Sequence, residues 1–155
     1  MSDPDSLITF RCALGPQQSE ALERFARRLC RLITGGRIFH CLISTDRELR
    51  RLNRRFRRRD APTDVLSFPV AENFPSAPGQ THFLGDIAIS LDRAARQARR
   101  LGHSLYEELC ILMLHGVLHL TGMDHSSDGG EMARAEMRWR KKFGLPAALT
   151  ERVSS

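Results

Sequence analysis

At 155 residues, with 41% hydrophobic and 27% charged side chains, the chain is long enough to bury a core as one domain over residues 1–155, and its mean hydropathy of -0.33 fits a soluble globular protein. The acidic start, Met1-Ser-Asp-Pro-Asp5, lacks the basic-then-apolar order of a secretion signal, and Glu107, Glu108 and histidines interrupt the one long apolar run. These features predict no leader and no spanning segment, and hence a cytoplasmic protein. A net charge of +6 and a pI near 9.9 favour a polyanionic partner, although arginine makes up all the basic residues except Lys141 and Lys142, a bias that codon usage alone produces in some genomes.

Residues 6–14 alternate β-branched and aromatic side chains well enough for a strand. Gln17 to Thr34 carries Leu22, Phe25, Leu29 and Ile33 at helical spacing and ends on Gly35-Gly36, which predicts an amphipathic helix. Residues 37–44 read as a second strand, with His40 a sheet residue. Thr45-Asp-Arg-Glu48 is a capping box opening a helix that carries Leu49, Leu52 and Phe56. That helix runs into a basic stretch from Asn53 to Asp60, which is either a solvated helix end favoured by the dipole or a phosphate-binding surface built on guanidinium donors.

Val65 to Pro69 is a predicted strand, residues 71–80 a proline-rich loop, and Leu84 to Ser90 a further strand. Ser90 and Ser104 are placed to cap the next two helices, with Gly102 between them. From 105 to 120 apolar side chains surround the helix axis, so this helix should be buried. Residues 126–130 then read as a turn, and a last helix from Glu131 to Phe143 exposes Arg134, Arg138, Lys141 and Lys142. The order βαβαββααα predicts an α+β fold in which helices cover a small mixed β-sheet. Cys12, Cys30, Cys41 and Cys110 form no C-x-x-C pair and are expected to be buried, reduced thiols.

The chemistry concentrates at the end of the buried helix, in His115-Gly-Val-Leu-His119-Leu-Thr-Gly122-Met-Asp124-His125. His115 and His119 are four residues apart, on one face and one turn from each other, a separation at which two nitrogens can share one ion. Gly122 ends the helix, because glycine takes the left-handed conformation without strain, and the returning chain brings His125 toward the pair. Three imidazoles leave one open position on a tetrahedral ion, the arrangement of a catalytic site. Zinc, one per chain, is the first choice by ligand type, with nickel, copper and iron as alternatives. A structural zinc would need a fourth protein ligand, for which Asp124 is nearest. The spacing H-x-x-x-H-x-x-G-x-x-H is also that of metzincin proteases, but their general-base glutamate is here Gly116, which can neither take nor give a proton.

Three blocks together resemble the YbeY family of bacterial endoribonucleases and rRNA maturation factors. They are Leu52-Asn53-x-x-Phe56-Arg57-x-x-Asp60-x-Pro62-Thr63-Asp64-Val65-Leu66-Ser67-Phe68-Pro69, then Leu84-Gly85-Asp86-Ile87, then His115 to His125. The resemblance implies a zincin-like fold, zinc held by His115, His119 and His125, and a phosphate-facing Arg57. It further implies a single-strand-specific endoribonuclease acting at the 16S rRNA 3′ end and in ribosome quality control. Arg57 and His115 would then be catalytic, Arg57, Arg58 and Arg59 would hold substrate, and rRNA, the small subunit and assembly proteins would be partners. A zinc-stabilised assembly factor that binds rRNA and cuts little is the alternative, and a protease with a displaced base is a further one. Where the family commonly has Gly-Lys after the arginine, this chain has Arg58-Arg59, and the acidic cluster after the third histidine is reduced to Asp128 and Glu131. Which residue acts as base, and whether Asp86 reaches the site, stay open.

Overall fold

The computed structural model describes residues 5–60, 63–70, 83–123 and 129–147. Its elements follow the expected order: β1 (Ile8–Phe10), α1 (Pro16–Leu32), β2 (Ile38–Ser44), α2 (Asp46–Arg57), β3 (Val65–Pro69), β4 (Phe83–Ser90), α3 (Leu91–Leu101), α4 (Leu105–Leu120) and α5 (Glu131–Phe143). The strand expected over residues 6–14 shrinks to three residues. Phe10 pairs with Ile43, and β2 ends one residue later, where the chain turns into α2, so nothing remains for β1 to pair with. At its other end the Leu7 and Ile8 N–H groups are held by the Glu23 carboxylate of α1, at 3.0 and 3.2 Å. The predicted loop at 71–80 and most of the predicted turn at 126–130 lie outside the described residues.

The sheet order is β1-β2-β4-β3, with the first three strands parallel and β3 antiparallel at the edge. Gly85 permits the close β3–β4 approach: its φ is 146°, and a Cβ there would fall on the Phe68 carbonyl oxygen. Alternation along the strands gives the sheet two apolar faces. Phe39, Cys41, Ile43, Ile87 and Ile89 join the main core with α1 and α4, while Leu66 and Ala88 pack under Leu49 of α2.

Local chemistry sets the helix ends. Ser104 and Glu107 form a complete capping box on α4, and Ser90 caps α3. The box predicted on α2 is only half formed: Thr45 accepts from the Glu48 N–H, but the Glu48 carboxylate binds Arg11 and Ser44 instead of reaching back. Helix α4 is buried nearly all round, as its apolar run predicts, and it packs on β3 and β4. Among the described residues no helix is long and apolar enough to cross a membrane.

Candidate metal and phosphate site

Helix α4 delivers His115 and His119 to its C-terminal end, where both are half-buried. Their ring centroids are 4.7 Å apart and their Nε2 atoms 3.2 Å apart. Metal–nitrogen bonds of about 2.0–2.1 Å in a tetrahedron place two ligand nitrogens about 3.3–3.4 Å apart, so the pair fits a shared ion. The helix ends as expected beyond them, with Gly122 at φ 103° and the Met123 N–H turned back onto the Leu118 carbonyl at 3.1 Å. His125 and Asp124 lie outside the described residues, and among the described residues no three His, Cys, Asp or Glu side chains are arranged to hold one ion.

A residue that the sequence reading missed completes this end of the helix. Glu136 of α5 accepts from His115 Nδ1 at 2.6 Å, and Arg140 Nη2 donates to its other oxygen at 3.1 Å. A carboxylate oxygen accepts, so this contact favours the tautomer with the proton on Nδ1 and turns the His115 Nε2 toward His119. Such an outer carboxylate fixes the ring and raises its basicity toward a metal. The signal was available in the helical register: Met132, Ala135 and Trp139 mark the inward face of α5, and Glu136 and Arg140 share it. The exposed residues predicted for this helix, Arg134, Arg138, Lys141 and Lys142, are indeed exposed.

Gly116 proves to be a packing residue. A Cβ there would lie 2.9 Å from buried Ile87, so the position is closed to any general base for steric as well as chemical reasons. The cysteines supply no ligand here. All four are free, Cys12 only half-buried and the others buried, and burial pushes the thiols up, that of Cys110 to about 12.

The arginine run approaches from the other face of the sheet. Arg57, the last residue of α2, donates through Nη2 to the Ser67 carbonyl at the edge strand and holds its guanidinium 5.7 Å from the Phe68 ring centroid. Ser67 Oγ in turn donates to the Gly116 carbonyl at 3.3 Å, so two hydrogen bonds connect Arg57 to the peptide beside His115. Arg58 and Arg59 are exposed and have no side-chain partner among the described residues, which leaves both free to meet an anion. Arg58 is the one described non-glycine residue with positive φ, at 57°, in the place where the resemblance put glycine.

Asp86 does not join the histidines. It pairs with His40 and Phe68 across the strands, on the α2 face, whereas its neighbour Ile87 faces α4. Partial burial raises its carboxyl above the ordinary value, an effect that His40 opposes. His40 itself is a sheet residue, as expected, its ring centroid 4.9 Å from that of Phe83 and tilted 52° to it. His103 binds the buried carboxylate of Glu108 at 2.6 Å.

A mixed sheet with helices, carrying a histidine pair backed by a buried carboxylate, defines the class as an α+β protein with a candidate metal centre. The solution structure of TM1509 from Thermotoga maritima has the same fold, at a TM-score of 0.58 and 24% identity over 96% of this chain and 98% of that one. The family model described as Endoribonuclease YbeY matches residues 17–144. Endoribonuclease YbeY of Solibacter usitatus is 54% identical over the full length of both chains, and that of Koribacter versatilis is 54% identical over 73% of this chain and 69% of its own. The chain belongs to the YbeY family of endoribonucleases, which are nucleic-acid hydrolases.

Proposed function

We propose that this protein is a zinc-dependent endoribonuclease with a zincin-like fold, which cuts single-stranded RNA during maturation of the 16S rRNA 3′ end and in ribosome quality control. It would act in the cytoplasm with the small subunit and its assembly proteins. The observation that supports this most is the pair of Nε2 atoms 3.2 Å apart, with the Nδ1 of His115 committed to Glu136, in a chain of this family. His115 and His119, with His125, would hold one zinc ion. When bound, the ion supplies a Lewis acid for a phosphoryl oxygen or lowers the pKa of water. Glu136 keeps His115 in the tautomer and orientation that present Nε2. Arg57 is anchored by one donor on the Ser67 carbonyl and lies 5.7 Å from the Phe68 ring centroid, so its other N–H groups are oriented for a phosphate whose charge grows in the transition state. Arg58 and Arg59 add salt-dependent attraction for the strand.

Single-turnover cleavage at saturating protein separates these roles. Arg57→Ala is expected to slow cleavage of bound RNA about a hundredfold with a modest change in affinity, on the scale of removing a charge-stabilising donor. Arg58→Ala is expected to do the reverse. If both weaken binding alike and leave the cleavage rate of bound RNA unchanged, Arg57 belongs to a basic patch. If folded His115→Ala protein cuts as fast as wild type, the endoribonuclease reading fails and an RNA-binding assembly factor takes its place.

A further inference from the structure

The register of β3 sorts its backbone groups. Ser90 N–H donates to the Asp64 carbonyl at 2.9 Å and Val70 N–H to the Leu84 carbonyl at 3.0 Å, so the even-numbered residues along β3 bond to β4. Val65, Ser67 and Pro69 therefore turn their backbone groups to the outer edge of the sheet. Three features agree with this parity. The Val65 carbonyl accepts from Thr63 Oγ1 at 3.3 Å, the Ser67 carbonyl accepts from Arg57 Nη2, and Pro69 has no N–H to leave unpaired.

An exposed edge ordinarily offers donors and acceptors in alternation, and a peptide strand can pair with both. On this edge the carbonyls of Val65 and Ser67 are already engaged by the protein's own side chains. Each carbonyl keeps one lone pair, but among the described residues the two N–H groups have no partner, so donors beside a guanidinium dominate this edge, the polarity of an anion site. The donors are two residues apart along the strand, about 7 Å. That suits neighbouring phosphates better than two oxygens of one. The Ser67 side chain donates to the carbonyl of Gly116, next in sequence to His115, so the edge strand is tied to the helix that carries the histidine pair.

We propose that the outer edge of β3 is a cradle for an RNA strand, in which the Val65 and Ser67 N–H groups donate to successive phosphodiesters beside Arg57. Thr63 and Arg57, by engaging the edge carbonyls, also disfavour peptide strands pairing there. The identity of the anion rests on the endoribonuclease reading; the donor-rich edge does not.

The test uses 15N-labelled wild-type protein and a short 2′-O-methylated RNA strand, with Val65→Pro as the matching variant, since proline is tolerated where an edge N–H faces outward. The amide signals of Val65 and Ser67 should move downfield and saturate with binding. Val65→Pro should lower RNA affinity about tenfold, the loss of one hydrogen bond to a charged group, without changing metal content. If both amide signals stay in place at saturating RNA, the proposal is overturned, and this readout stands whether or not Val65→Pro folds. An extended peptide that moves the same amides at lower concentration than RNA also overturns it. Amide movement without any RNA cleavage by wild type would sink the endoribonuclease reading and keep the cradle; cleavage without amide movement would do the opposite.

Discussion

Two histidine–carboxylate pairs flank α4. At its N-terminal end His103 Nε2 meets Glu108 at 2.6 Å, with the side chains 9% and 0% exposed; at its C-terminal end His115 Nδ1 meets Glu136 at the same distance, with 26% and 10% exposed. The distances are equal, but the nitrogens used are not. The first pair is sealed, and its imidazole serves a carboxylate that would otherwise be costly to bury. The second uses Nδ1, so Nε2 faces a second imidazole, that of His119, at 3.2 Å. A histidine is therefore recognised as a candidate ligand less by its carboxylate partner than by what its other nitrogen faces.

Removing one member of each pair should separate the two roles. The largest effect on stability is expected from His103→Ala, which leaves Glu108 buried without its imidazole: denaturant unfolding should show a loss of about 3 kcal/mol, with metal affinity unchanged. Lower metal affinity in that variant would erase the distinction. Glu136→Gln removes the charge behind His115, and competition with a chelator should show zinc affinity down about ten- to a hundredfold. That substitution also weakens the ion pair with Arg140, so the melting temperature of metal-free protein should fall too, and affinity must be read on the folded fraction. Smaller still is the effect at the arginine run. Arg58→Gly relieves a left-handed backbone and should stabilise the protein by about 1 kcal/mol, while the slope of log affinity for RNA against log salt drops by about one.

Much of this was legible in the sequence because it is written in local patterns. The α4 capping box, the end of that helix at Gly122, the i, i+4 histidines and the bounds of α5 all depend on residues within a few positions of each other. What was not legible depends on partners distant in the chain. Glu136 meets His115 from 21 residues away, and only a helical register extended to α5 would have turned it inward. Gly116 looked like a missing base, whereas its contact with Ile87 on another element gives the position a packing reason that no spacing reveals. β1 ended early because β2 did, and Asp86 was separated from the histidines by strand alternation, a matter of which face α4 covers.

The distinction between the two ends of α4 is tested most directly by zinc stoichiometry, measured by titrating metal-free protein against a chromophoric chelator, for wild type, His103→Ala and His119→Ala in parallel. One tightly bound equivalent is expected in wild type and in His103→Ala, and none in His119→Ala. Equal zinc in all three proteins, or its loss from His103→Ala as well, would contradict the assignment of the metal to the C-terminal end of the helix.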